Sequence, residues 1–260
     1  MPSMKNAPLI EIVAEIRWGE GISTKPPALV IGGDETLYVR LGIGLGKGGY
    51  ERLERVQPEG IPSLPGAVVY RYRRADELQN TLYQAGLGVF TANGLPPYNS
   101  WEEFSPVVAE GIRALWEARA FEPSQTPIEL ILRYVDAFTS SHLGEMSQAN
   151  FIDEVVGVKY QEVPSIKGMA EGAKLESVRF NAVHSAATGE RLVIEVGQGS
   201  KDGEEVLVLN TAAFSSEFVA TSVDEVSTRF NELQDLLHKI FFEMLDRLPE
   251  LRKSWEERIQ

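Results

Sequence analysis

Hydrophobic and polar residues alternate along several short segments of the chain, a pattern typical of β-strands with one buried face. In residues 9–18, for example, apolar side chains alternate with Glu11, Glu15 and Arg17. The same reading predicts further strands at residues 68–73, 80–92, 128–138, 175–185, 191–198 and 205–214.

Two segments instead repeat their apolar residues every three or four positions, which predicts amphipathic helices at about residues 101–119 and 222–248. Ser100 and Ser222 each stand three residues before a glutamate, the spacing of an N-terminal capping box. Because strands cluster ahead of each helix, we predict an α+β fold, an antiparallel sheet with helices packed on one face.

The order of strands followed by a helix occurs twice along the 260 residues. We interpret residues 1–260 as a single compact α+β domain, a length that one large core can accommodate. Within it the order indicates two pseudo-equivalent halves, 1–138 and 158–260, joined by an irregular segment. Sequence identity between the halves is too low to establish a duplication.

The segment between the first two clear strands is rich in glycine and proline. We predict a short strand at 36–41, a flexible glycine loop after it, and a short helix at 50–56. The run from Gly42 to Lys47 resembles a phosphate-binding loop only superficially, because Lys47 is followed by glycine where serine or threonine is required.

Composition removes several kinds of chemistry. The chain has no cysteine, so disulfides, thiolate nucleophiles and cysteine-based zinc sites are excluded. His142, His184 and His238 are isolated from one another, and no nucleophile motif of the G-x-S-x-G type occurs. We therefore expect no metal and no cofactor, and the sequence favours a protein that is not an enzyme.

Acidic residues outnumber basic ones, 38 to 25, for a net charge of −13. This charge disfavours nucleic acid as a partner and is compatible with a basic protein partner, although solubility alone also explains it. No apolar run reaches the roughly 18 residues of a spanning helix, and no secretory signal is recognisable, so we expect a cytoplasmic protein without a membrane anchor. The sequence neither supports nor excludes a homo-oligomer.

Four residues emerge as candidates for a binding site. Arg133 and Asp136 lie on opposite faces of an otherwise apolar strand, where a buried charge is costly unless a partner is supplied. They indicate either a polar pocket at the end of the sheet or structural pairing, for instance of Arg133 with Glu129. Tyr98 and Trp101 open the first helix, where they serve either helix packing or the stacking of a ligand.

Three short pieces of the chain carry a resemblance to a known family. They are residues 6–18, the segment Tyr98-x-x-Trp101-Glu102-Glu103-Phe104, and Leu132-Arg133-Tyr134-Val135-Asp136. With the closing helix, they resemble a sporadically distributed family of uncharacterised prokaryotic proteins. That family commonly has Asn in place of Asp136 and two prolines where this chain has Ala7-Pro8. The resemblance implies the scattered distribution typical of defence or toxin–antitoxin genes, and no established activity.

We therefore expect a non-enzymatic binding or interaction protein of the prokaryotic cytoplasm, of an antitoxin-like or defence-associated kind. Two alternatives stay open. The first is a hydrolase or nuclease with a carboxylate and arginine site, for which Asp136, Arg133, Glu195 and the three histidines are the available groups. The second is a small-molecule-binding domain that uses Tyr98, Trp101, Arg133 and Asp136.

Overall fold

A computed structural model of the chain describes residues 7–22, 35–58, 64–75, 80–98, 100–119, 126–159, 179–249 and 252–253. Its strands are β1 (Leu9–Trp18), β2 (Arg52–Arg55), β3 (Val68–Arg73), β4 (Thr81–Gly86), β5 (Val89–Gly94), β6 (Ile128–Phe138), β7 (Phe180–Ser185), β8 (Arg191–Lys201) and β9 (Glu204–Phe214). Its helices are α1 (Glu35–Gly46), α2 (Trp101–Arg119), α3 (Ser140–Leu143), α4 (Gln148–Phe151), continued by a π-helical turn (Ile152–Val156), and α5 (Val223–Leu245).

The nine strands of the described residues belong to one sheet, in the order β2-β3-β4-β5-β1-β6-β9-β8-β7. Every neighbouring pair is antiparallel. The predicted α+β class is therefore confirmed. Strand β6 pairs with β1 on one side and β9 on the other, so the sheet continues across the boundary between the two proposed halves. Their pseudo-equivalence stays a prediction.

Helices α1, α2 and α5 cover one face of this sheet. Alternate residues of the central strands point toward them, such as Ile12 and Ile16 of β1 and Leu132 of β6, and all three are buried. Phe104 of α2 and Phe230 of α5 enter the same core cluster. Burial of these apolar side chains against the sheet is what holds the helix layer in place.

A second core cluster lies further along the same face. Phe138 at the end of β6 and Leu209 of β9 pack there with Phe151 of α4 and with Met244 near the end of α5. Helix α5 thus contributes to both clusters. Between Leu237, in the first cluster, and Met244, in the second, the helix crosses the place where the two clusters meet.

The bounds of the two elements with the clearest sequence patterns are confirmed. Helix α2 spans Trp101–Arg119 and strand β6 spans Ile128–Phe138. Helix α5 begins after its predicted cap, where the Ser222 side chain accepts a hydrogen bond from the Glu225 amide at 3.1 Å. Of the strand predicted at 175–185, the first four residues lie outside the described residues, as does 160–172 of the joining segment.

The predictions for residues 36–56 are wrong. A helix, α1, replaces the predicted strand and most of the glycine loop, because Leu37, Leu41 and Leu45 lie on one helical face and are buried. Strand β2 replaces the predicted helix. It pairs with β3, and Glu54 lies within 3.7 Å of the guanidinium groups of Arg71 and Arg73 on that strand.

Two glycines explain why local signals misled the predictions, one for residues 36–56 and the other for residues 80–92. A Cβ placed on Gly44 would lie 3.3 Å from the Ala114 Cβ, so glycine lets α1 approach α2 closely instead of marking a loop. Gly88 has a φ of +71° and forms the turn between β4 and β5. The single strand predicted at 80–92 is therefore a hairpin.

Candidate functional site

Three of the four candidate residues meet in one cavity. Tyr98, Trp101 and Asp136 line a space of about 380 Å³ between the sheet, the beginning of α2 and the middle of α5. The cavity lies between the two core clusters, with Leu237 from the first and Phe241 beside the second on its wall. Its volume falls in the lower part of the range of small-molecule sites.

Strand β6 directs Asp136 into this cavity. Because side chains alternate along a strand, Tyr134 and Asp136 point to the helix-covered face, whereas Arg133 points away from it. In register, Asp136 stands between Leu9 of β1 and Leu209 of β9. The β1–β6 register shifts just after Leu9, an irregularity of the kind that often reshapes a sheet beside a site.

Asp136 is a buried carboxyl group to which no described residue gives a partner. Only 3% of the residue is exposed, and none of the described residues gives its side chain a hydrogen bond or an ion pair. Burial raises the pKa of Asp136 to about 7, because removal from water disfavours the charged form. The group therefore changes its charge near neutral pH.

Four other polar residues of the cavity, Tyr98, Tyr134, Gln234 and Trp101, have partners among the described residues. The Tyr134 hydroxyl is hydrogen-bonded to the Tyr98 hydroxyl and to the Gln234 side chain of α5. Burial raises the pKa of Tyr98 to about 12, so it stays a neutral phenol. The Trp101 indole donates to the Asn231 Oδ1 at 2.7 Å, which fixes the ring against α5.

Aromatic and apolar side chains form most of the remaining wall. Tyr98 and Trp101 both contact the Phe104 ring edge-on, at centroid distances of 6.1 and 5.9 Å. Phe104 itself is buried in the core, so the packing interpretation of this aromatic group holds for that residue. Tyr98 and Trp101 serve packing and also face the cavity, together with Phe241 and Phe242.

Charged residues at the cavity come mainly from the two helices. Glu102 of α2 and Asp235 of α5 are exposed carboxylates, and hydrogen bonds from its own amide and from Ser100 lower the pKa of Glu102. His238 lies on α5, with its ring 4.5 Å from that of Phe242. It is the only basic side chain among the described residues that line the cavity.

Sequence reasoning missed Gln234, Asp235 and Phe242 as parts of the site. A signal for them exists, because Gln234 and His238 stand four residues apart at the edge of the apolar stripe of α5. Gln234 and His238 on that edge are therefore expected to lie where the apolar core ends. Only the position of α5 over β6, however, shows that they face Asp136.

Arg133 lies on the opposite face of the sheet, apart from the other three candidates. It lines an open hollow with Arg179, Glu195 and Asn210, and its buried Nε atom has no hydrogen-bond partner. The pairing considered for it with Glu129 is not formed, since the Glu129 carboxylate instead accepts a hydrogen bond from Arg191.

The three histidines stay apart in space as well as in sequence. His142 caps the short helix α3, His184 lies on the edge strand β7, and His238 borders the cavity. Across the described part of the chain, no three His, Asp or Glu side chains come together in a way that would hold a metal ion.

Comparison with known proteins adds no relative. No protein-family model, no curated protein and no solved structure matches this chain. The structure therefore defines the class on its own: an α+β protein with a nine-stranded antiparallel sheet and a cavity under its helix layer. The resemblance to a scattered prokaryotic family stays a prediction. None of the described helices has the length and apolar character needed to span a membrane.

Proposed function

We propose that this protein is a non-enzymatic binding protein of the prokaryotic cytoplasm and that it takes a small organic molecule into the cavity between α2, α5 and the sheet. The observation that carries this proposal is Asp136, a buried carboxyl that points into an aromatic cavity and has no partner in the described chain. Buried polar groups in folded proteins are nearly always paired. A ligand would supply the partner that the described residues do not.

Binding is favoured over catalysis by the way the ionisable groups are distributed. Asp136, His238 and the exposed Glu102 and Asp235 line the cavity, whereas Arg133 and Glu195 line the hollow on the other face. No hydrogen bond joins Asp136 to His238. A hydrolase or nuclease would need at least two such groups within reach of one reacting atom. The cavity therefore provides recognition groups more clearly than a catalytic pair.

Ligand uptake can be tested with one blocked variant and one control on the same helix. Gln234 lines the cavity and Lys239 is exposed, so Gln234→Trp would fill the cavity and Lys239→Trp would not. We would screen small organic compounds by thermal unfolding and examine the purified protein by native mass spectrometry. A ligand at 100 times its Kd stabilises the folded state by about 2.7 kcal/mol.

The expected result is at least one compound that raises the Tm of the wild type and of Lys239→Trp but leaves that of Gln234→Trp unchanged. Equal shifts in both variants would place the compound elsewhere. No shift with any compound, together with the absence of a co-purified ligand, would contradict the proposal.

A basic protein partner is the second candidate, and the net charge of −13 is the observation that favours it. This alternative keeps the antitoxin-like or defence-associated role expected from the sequence. Association driven by charge should be fast at low salt and slow as ionic strength rises, because the Debye length falls from ~30 Å at 0.01 M to ~8 Å at 0.15 M. Affinity purification at low salt from the native host, followed by mass spectrometry, tests it.

A further inference from the structure

We propose that the ligand of this cavity is an organic cation, in which an ammonium group reaches Asp136 and an apolar body lies among the aromatic side chains. This inference rests on the proposed binding function and specifies the chemical class of the ligand. Three independent features of the cavity support it: the unpartnered carboxyl, the aromatic wall and the sign of the surrounding charge.

The first feature is the position of the carboxyl group. Asp136 stands between Leu9 and Leu209 in the sheet, and its side chain faces the cavity. Neither neighbour can donate a hydrogen bond from its side chain, and the nearby Tyr134 hydroxyl is hydrogen-bonded to Tyr98 and Gln234. A buried carboxylate is stabilised by a positive donor in direct contact. None of the described residues brings one, so we assign this role to the ligand.

The second feature is the aromatic wall. Tyr98, Trp101, Tyr134, Phe241 and Phe242 all line the cavity. Aromatic rings attract cations through their electron-rich faces, and tryptophan and tyrosine do so most strongly. They also bury the apolar part of a ligand. A wall of this composition suits an ammonium group attached to an aromatic or aliphatic body.

The third feature is the charge around the cavity. Glu102 and Asp235 add two exposed carboxylates, against His238 as the single basic side chain among the described lining residues. An anionic ligand would approach these carboxylates and meet Asp136 as well. A cation is attracted by all three. The electrostatics of the cavity therefore select against carboxylate and phosphate ligands.

Binding of a cation should also depend on pH. The groups that face Asp136 are Tyr134 on its own strand, Tyr98 before α2, Glu102 on α2, and Asp235 and His238 on α5. Since burial raises the pKa of Asp136 to about 7, the carboxyl must lose its proton to pair with an ammonium group. Affinity should therefore fall roughly 100-fold from pH 8 to pH 5. His238→Gln, which removes the one basic side chain among the described lining residues, serves as a control.

Matched probes of three charges test the inference. We would titrate the protein with tryptamine, tryptophol and indole-3-acetate, and with 2-phenylethylamine, 2-phenylethanol and phenylacetate, by calorimetry at pH 5 and pH 8. The amines should bind at least tenfold more tightly than the alcohols at pH 8, and the acids should not bind. Asp136→Asn should weaken amine binding about 10- to 100-fold, as loss of a charged hydrogen bond predicts. Asp235→Asn, at the exposed edge, should weaken it less than threefold.

The outcomes separate this inference from the function on which it rests. If an alcohol or an acid binds the wild type as tightly as its amine, the cavity binds ligands but the cation class is wrong. Amine binding that Asp136→Asn leaves unchanged overturns the inference in the same way. If none of the six probes binds, the inference is also overturned, and the compound screen with Gln234→Trp decides separately whether the cavity takes up any ligand.

Discussion

The two faces of the sheet differ in whether the described residues give their buried carboxylates a partner. On the face away from the helices, Glu15 and Glu129 are nearly as buried as Asp136, with 6% and 7% of each residue exposed against 3%. Glu15 contacts the guanidinium of Arg17, and Glu129 contacts that of Arg191. On the helix-covered face, Asp136 has no such contact with any described residue.

Less buried acids on the face away from the helices, the polar face of the sheet, are paired as well. Glu11 accepts a hydrogen bond from Asn93 at 2.8 Å, and Glu195 accepts one from Asn210 at 2.7 Å. The chain thus provides partners for carboxylates across one face of the sheet. Against that background, the lack of a partner for Asp136 stands out as a local exception that coincides with a cavity. This coincidence is why we attribute it to ligand recognition.

The largest expected effect is on the pH dependence of stability. An aspartate ordinarily has a pKa of 3.8, and burial raises the pKa of Asp136 to about 7. Between these values the folded state keeps a proton that the unfolded state has lost, so this group's stabilising contribution, full below pH 3.8, is lost as pH rises toward 7. Three pH units correspond to roughly 4 kcal/mol of unfolding free energy.

Asp136→Asn removes this titration, and the cost of burying the amide itself does not vary with pH. Relative to the wild type, the variant should therefore gain roughly 4 kcal/mol of unfolding free energy between pH 4 and pH 8. Urea unfolding across this range measures the difference, with Asp235→Asn as the exposed control. If the unfolding free energies of the wild type and of Asp136→Asn change with pH in the same way, the Asp136 carboxyl is not buried without a partner in the folded state.

The second expected effect compares packed and cavity-lined positions within the helix-covered face. Leu233 and Leu237 are both buried on α5, but only Leu237 lines the cavity. Truncation of a packed leucine costs about 2–5 kcal/mol. We expect Leu237→Ala to lie at the lower end of that range and Leu233→Ala above it, because part of the Leu237 side chain already borders empty space. Equal costs, measured by urea unfolding, would mean that the cavity closes over Leu237 in solution.

The third expected effect concerns a paired carboxylate of the polar face. Arg191→Met should cost about 1–3 kcal/mol of unfolding free energy, because it leaves Glu129 buried without its donor. Adding Glu129→Gln to that variant should recover part of the loss. If Arg191→Met has no effect, pairing is not what makes buried carboxylates tolerable on this face, and the contrast with Asp136 loses its meaning.

Sequence patterns predicted the elements around the site better than the site itself. Helix α2 and strand β6 have continuous apolar periods and clear ends, so their boundaries followed directly. Strand alternation also placed Arg133 and Asp136 on opposite faces. In residues 36–56, by contrast, tertiary contacts override local signals, because Gly44 serves close packing of α1 against Ala114.

The assembly of the cavity could not be predicted in the same way. Trp101, Asp136 and His238 come together only because α2 and α5 lie side by side on the sheet, α2 over β5 and α5 over β6. Contacts between residues so far apart in the chain leave no local pattern. What the sequence did reveal was the chemical anomaly, a charged residue in an apolar strand, and that anomaly marks the site.

The smallest expected effect tests whether the other polar groups of the cavity are truly satisfied. Trp101→Phe removes the indole that donates to Asn231 at 2.7 Å and keeps an aromatic ring in place. A neutral hydrogen bond contributes about 1 kcal/mol, and the smaller ring also buries less apolar surface, so we expect a loss of at least that size in unfolding free energy. A double-mutant cycle with Asn231→Ala should show coupling of similar magnitude. Absence of coupling would mean that the Trp101 indole, like the Asp136 carboxyl, has no effective partner. The lack of a partner would then no longer distinguish Asp136 as the recognition point of the cavity.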